Sequence, residues 1–198
     1  MVRQLPVIGV FGQGTSLSAG RAALAREVGA MVGRLGAHLL TGGGFGVMAA
    51  AGEGFTAVPG RVGLSIGVIP RDPLGPFDRP KRDPAGRPYP NPFVELVIMT
   101  ALPPRVPDWR STPSRNHVNV LSVHAIVALP GGGGTANEIE MTAAYRVDGE
   151  QLEDRCAVLL GPATEFSAHQ LREFAHAESV AAAEHHVRRI LAVRGFVL

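Results

Sequence analysis

Three glycine-rich turns constrain this chain more than any other feature. GQGTS (12–16), TGGGFG (41–46) and PGGGGT (130–135) each close a short apolar run and open a stretch of helical spacing. The apolar runs PVIGVFG (6–12), AHLLT (37–41) and AIVALP (125–130) read as buried strands. From about Ala19, the residues Leu24, Val28, Met31, Val32 and Leu35 recur at helical spacing, and Gly36 stands where a C-terminal cap belongs. A small-residue helix is expected from Val47 to about Thr56. Further strands are expected at 62–70, 93–100 and 155–161. A helix should start near Thr112 or Ser114, and another should run from Thr135 to about Arg146. One or two helices close the chain through HQLREFAH and VAAAEHHVRRIL.

Strand and helix alternating at this spacing predict an α/β fold. The expected architecture is a doubly wound, Rossmann-like parallel sheet of about six to seven strands with helices on both faces. Residues 1–198 read as a single domain. The stretch 71–92 interrupts it with seven prolines and no periodicity, and reads as a loop, a lid or a disordered insertion.

Ligands of open α/β sheets bind beyond the carboxyl ends of the strands, where all three glycine turns lie. Glycine lets backbone approach a ligand closely, and a helix N-terminus offers free amides and partial positive charge. Together these make an anion site, most often for phosphate. The candidate contacts are Gly12, Gly14 and Thr15 in the first turn, Gly42, Gly43 and Gly44 in the second, and Gly131, Gly132, Gly133, Gly134 and Thr135 in the third. One such turn could be nothing more than a tight bend; three on one edge favour a phosphorylated ligand. The dinucleotide fingerprint fails, because GVFGQGTSLSAG has the wrong spacing and the second strand ends in Thr41 without an acid. A Walker loop fails too, because Lys81 is the only lysine and lies in the proline-rich stretch. A mononucleotide or a sugar phosphate fits better.

Among groups able to do chemistry, Glu138 can face the ligand space from the helix after PGGGGT, or merely complement the helix dipole. Glu140 lies roughly 200° further round, so the two carboxylates cannot share a face. Arg115 and Asn116 begin the preceding helix. An arginine there is disfavoured by the dipole, which hints at a phosphate or carboxylate to bind; a solvated surface arginine is the plainer reading. His117 lies about 100° round the helix from Asn116 and carries little weight. The histidines at 169, 176, 185 and 186 match no tight metal motif. Neither a metal nor a cofactor is expected. The lone Cys156 reads as a small core residue. A net charge of +2 and 6% aromatics argue against nucleic acid. No apolar run is long enough to span a membrane and no cleavable leader is evident, so a cytoplasmic location is expected.

These residues resemble a known family. GVFGQGTS, TGGGFGVMAAAGEGF, IGVIP and SRNHVNVLSVHAIVALPGGGGTANEIE, spread over residues 6–160, look like the LOG superfamily, long mislabelled lysine decarboxylases. Its PGGxGTxxE pattern is matched by Pro130, Gly131, Gly132, Gly134, Thr135 and Glu138. The resemblance implies a Rossmann-like fold, a homodimer or higher homo-oligomer with sites near the subunit interface, and hydrolysis of a nucleoside 5′-monophosphate to free base and ribose 5-phosphate. The glycine loop would hold the phosphate, Glu138 would steady the cationic sugar or activate water, and Arg115 would match the family's catalytic arginine. The decarboxylase label fails independently, because a pyridoxal enzyme needs a placed lysine. Hydrolysis is the leading expectation, and two departures from the family pattern keep a non-catalytic carrier as the alternative. Arg115-Asn116 stands where the hydrolases carry Arg-Lys, and Met141 stands where they carry a second glutamate. Both look more like molybdenum-cofactor carrier proteins, which bind a phosphorylated pterin without turning it over.

Overall fold

The computed structural model describes residues 4–70, 81–82, 86–145 and 156–197. Its elements run β1 (Val7–Phe11), α1 (Ala19–Arg34), β2 (His38–Thr41), α2 (Val47–Thr56), β3 (Ser65–Pro70), β4 (Lys81–Arg82), β5 (Pro88–Tyr89) and β6 (Leu96–Thr100). Then follow α3 (Arg115–Leu121), β7 (Ala125–Ala128), α4 (Gly133–Ala144), β8 (Ala157–Leu160), α5 (Ala168–Glu173), β9 (Ala175–Ala177) and α6 (Val180–Val193). Seven strands form one parallel sheet in the order β6-β3-β2-β1-β7-β8-β9, while β4 and β5 pair antiparallel apart from it. The chain winds outward from β1 to β6, then returns to the other side of β1 as β7. The carboxyl ends of β1 and β7 therefore flank a topological switch point.

Helices cover both faces, so the central strands are apolar throughout instead of alternating with polar residues. Ile8 and Val10 of β1, Val127 of β7 and Val158 of β8 pack with α1, α2 and α6. Phe11, Ile126 and Leu159 point the other way, onto Val120 of α3 and Ile139 and Met141 of α4. Each such large side chain contributes roughly 1.5–3 kcal/mol by leaving water. Helix α1 starts where Ser18 accepts a hydrogen bond from the Arg21 amide (3.2 Å), and it stops at Gly36, whose φ is 69°. Helices α1 and α2 meet backbone to backbone. A Cβ at Gly29 would collide with the Ala51 carbonyl, and one at Gly54 with the Arg26 carbonyl.

Several boundaries differ from expectation. The third and fourth strands begin three residues late, at Ser65 and Leu96, because Glu95 is held as the ion-pair partner of Arg61 and takes the Ser65 amide at 2.9 Å. Helix α4 begins at Gly133, not Thr135, so two glycines supply its first amides. The helix ends at Ala144, and Arg146 lies outside the described residues. Ala175 and His176, read as the end of a helix, lie in the edge strand β9; its pairing with β8 outweighs the helix preference of Ala-His-Ala. Cys156 is half-buried, touching both packed faces from the sheet's lower rim. Of the proline-rich stretch, 71–80 and 83–85 lie outside the described residues. Its last part is ordered against the second glycine turn. At the opposite edge, Leu96, Val97, Ile98 and Met99 of β6 are 39–47% exposed. No described helix is long and apolar enough to cross a membrane.

Candidate functional site

Backbone hydrogen bonds tie the glycine turns into one cluster. The Gln13 amide donates to the Pro130 carbonyl (3.3 Å), and the Val47 amide donates to the Gln13 carbonyl (2.9 Å). A cavity of about 230 Å³ opens at the switch point. Of the expected site residues, Gly12, Gly14, Gly42, Arg115, Asn116, Gly132, Gly133, Gly134, Thr135 and Glu138 line it. Thr15, Gly43, Gly44 and Gly131 do not. Thr15 instead accepts from the Gln13 side chain (2.9 Å), and Gly131 lies too close to Thr135 and Gln13 for any side chain.

The second turn is held from behind by the end of the proline-rich stretch. Tyr89 donates its hydroxyl hydrogen to the Gly42 carbonyl (2.9 Å). The Asn91 amide donates to the Gly43 carbonyl (2.9 Å), and its side chain donates to the Gly44 carbonyl (2.6 Å). Sequence reasoning missed this strap, because Tyr89 and Asn91 sit among prolines with no pattern to mark them. Its effect is to fix the surface on which Arg115 lies: a Cβ at Gly42 would collide with the Arg115 guanidinium. Glycine is required there by close approach.

Arg115 is the first residue of α3, and its Nε is buried without a hydrogen-bond partner. Ser114 caps that helix together with His117, whose Nδ1 accepts from the Ser114 amide (3.0 Å). This leaves Nε2 to donate to the Trp109 carbonyl at 2.9 Å, so His117 is an architectural residue turned away from the cavity. Asn116 is buried at the cavity wall, with Nδ2 3.5 Å from the Gly134 carbonyl.

The two glutamates of α4 part company. Glu138 lies beyond the first turn, is 7% exposed and faces the cavity. The Asn119 side-chain amide donates to its Oε1 at 2.7 Å. Glu140 is exposed on another face, with Oε2 3.4 Å from the Trp109 indole nitrogen. Met141, where a second family glutamate would stand, is fully buried in the apolar packing beneath α4. Among the described residues the cavity thus carries one carboxylate.

Burial pushes the Glu138 carboxyl above its ordinary range; the Arg115 charge and the Asn119 hydrogen bond oppose the rise without cancelling it. A carboxyl with a raised folded pKa costs nothing while protonated. It destabilises the fold progressively as pH climbs from the ordinary carboxylate range through the raised value. Glu138→Gln is therefore expected to melt higher than wild type near about pH 8, with the difference vanishing near about pH 4. Thermal melts across that range check it; a gap that is constant or widens toward acid would contradict it.

Sequence reasoning also missed Arg105, Met48 and Phe11 of the lining. Arg105 stands in PPRVP, where neither periodicity nor a neighbouring acid marks it. The described residues hold no group of three or more His, Cys, Asp or Glu placed to bind a metal; His176 hydrogen-bonds the Gly161 carbonyl at 2.7 Å.

Chemically, the site combines the free amides at the α4 N-terminus, the Thr135 hydroxyl, two guanidiniums and one buried carboxyl. That set can hold an anion at one end and a polar heterocycle or sugar at the other. Fold and site together define an α/β protein of LOG-like fold with a glycine-walled pocket at the sheet's switch point. The chain belongs to the SLOG cluster4 family, whose model matches residues 5–184. Among curated proteins, none matches. Solved structures similar to it include a molybdenum cofactor carrier protein from Chlamydomonas reinhardtii, 27% identical over 96% of this chain and 99% of its own, with a TM-score of 0.66. The molybdenum cofactor binding protein of Rippkaea orientalis is 23% identical over 96% and 99%, with a TM-score of 0.69. DNA processing protein A of Helicobacter pylori shares the fold at 9% identity over 97% and 82%, with a TM-score of 0.62. So wide a range on one fold puts the weight of any functional reading on the pocket.

Proposed function

We propose that this protein binds and holds a phosphorylated small molecule of the pterin or nucleotide class without turning it over. The observation that carries this reading is that the described residues place a single carboxylate in the cavity. Glycosidic hydrolysis ordinarily works with a pair of acids. Here Glu140 is turned toward Trp109 and Met141 is in the core, so among the described residues no second acid reaches Glu138. The molybdenum cofactor named for the carrier and binding proteins is such a phosphorylated pterin, and as cargo it would need a cradle and no catalyst. Its phosphate would take the α4 amides and Arg115, with Glu138 toward the ring system.

The glycine loop supports an anion at that position. A Cβ at Gly132 would meet nothing within 4 Å, and its φ of −85° suits any residue. Neither packing nor backbone requires glycine there, whereas close approach of a ligand would. Gly132→Ala should therefore leave stability within about 1 kcal/mol of wild type. The same change should weaken ligand binding severalfold. Unchanged binding in this variant would remove the loop from the site.

A second reading, phosphoribohydrolase activity, is favoured by one observation: Glu138 is buried in the cavity beside Arg115, with its carboxyl pushed up. A buried carboxyl whose pKa is shifted upward beside a cation, in a cleft, is the kind of group that acid–base chemistry uses. The two readings separate in one experiment. Purified protein is incubated with AMP and other nucleoside monophosphates, and free base is followed alongside Glu138→Ala. Release above that of the variant establishes the hydrolase and ends the carrier reading; binding without release supports the carrier.

A further inference from the structure

We propose that Arg105 is a specificity-determining residue: it clamps the anionic group at the α4 N-terminus and selects a dianionic phosphate monoester over an uncharged ligand. The inference deepens the binding function proposed above and rests on it.

Arg105 sits on the segment between β6 and α3, and that segment is pinned on either side of it. The Pro103 carbonyl accepts the Arg115 amide at 2.8 Å. Val106 packs against the apolar layer under α4, and the Asn137 side chain reaches its carbonyl at 3.5 Å. Trp109 is buried, with its carbonyl bonded to His117. Between these anchors Arg105 is exposed, lines the cavity, and lays its guanidinium beside Gly133, the first residue of α4. No described residue forms a hydrogen bond or an ion pair with it.

That placement opposes the local field. A cation at a helix N-terminus is unfavourable, because the amides there already present positive charge. Arg115 does the same at the start of α3, with its Nε buried and unpaired. Among the described residues, two cations thus converge on one cavity against the single carboxylate of Glu138. An anion lying between Arg105 and the α4 amides reverses the sign of both interactions. The guanidinium fork suits two phosphate oxygens, leaving the third to the amides. Because the segment is pinned, little ordering is lost when the clamp engages.

Calorimetric titration tests this with AMP, adenosine and inorganic phosphate on wild type, Arg105→Ala and Arg105→Lys. Wild type should bind AMP and phosphate and prefer both to adenosine. Arg105→Ala should weaken AMP and phosphate by about 10- to 100-fold while leaving adenosine unchanged. Its affinity should also depend less steeply on salt, and Arg105→Lys should recover only part of the loss. Equal AMP affinity in Arg105→Ala and wild type overturns the role of Arg105 and leaves the pocket's function standing. A wild type that binds neither AMP nor phosphate overturns both. Circular dichroism of the variants, altered only at an exposed side chain, should match wild type; a variant that binds normally despite a changed spectrum counts against the clamp equally.

Discussion

Arg115→Ala is expected to weaken binding of a phosphorylated ligand by about 10- to 150-fold, the range of a charge-assisted hydrogen bond lost from a water-poor site. Two effects act together. The fork at the cavity floor disappears, and Glu138 loses the positive charge that restrains its carboxyl. The remaining carboxyl should titrate still higher, so the variant's binding should change with pH over a shifted range. Lysine at this position would restore the charge without the planar fork and should recover only part of the affinity. Gly42→Ala approaches the same defect from the other side, because its Cβ would occupy the place of the Arg115 guanidinium. Calorimetry with AMP on the three variants checks the set. If Gly42→Ala binds as wild type does, the packing of Arg115 on that glycine does not matter to the ligand.

The second large effect falls on stability. Gly54→Val should lower it by roughly 3 kcal/mol or more, since overpacking against rigid backbone has no flexible side chain to absorb it. In a chain of this size that is about 6–12 °C in melting temperature. Gly29→Val should do the same, and the pair should be less than additive because both pry α1 from α2 at one contact. Denaturant melts of the single and double variants decide it. A loss under about 1 kcal/mol in both singles would mean that the two helices can separate without cost, contrary to their close approach.

How much of this was legible in the residues follows from what each kind of signal reports. The sheet was readable because buried parallel strands are continuous apolar runs and the glycine turns punctuate them. The ligand-bearing edge followed from which runs precede glycines, but the strand order that makes a switch point there did not. β9 was not readable: Ala-His-Ala carries no strand preference, and only its pairing with β8 makes it a strand. The separation of Glu138 from Glu140 was visible as a helical angle, but the partner of Glu140 was not, since Trp109 lies 31 residues away. Arg115 could be suspected from its conflict with the helix dipole. Arg105 makes the same conflict with α4, yet across a gap in sequence that no local reading spans. The strap of Tyr89 and Asn91 was hidden for a similar reason. Its hydrogen bonds reach back 47 residues to glycine carbonyls, whose need for partners is invisible until the turn is built.

The winding of the sheet has a consequence for how the protein reaches its native state. The central strand β1 is joined to β7 by contacts that span 117 residues, as in the hydrogen bond from the Val7 amide to His124. Closing so long a loop must precede any reward from that pairing, so it belongs late in folding and sets a slow overall rate. The pocket walls come from both sides of that closure and cannot exist before it. A ligand of this pocket would therefore recognise only molecules that have completed the final step. It should slow unfolding without speeding refolding, and a pulse of ligand during refolding would serve as a clock for the closure of β1 on β7.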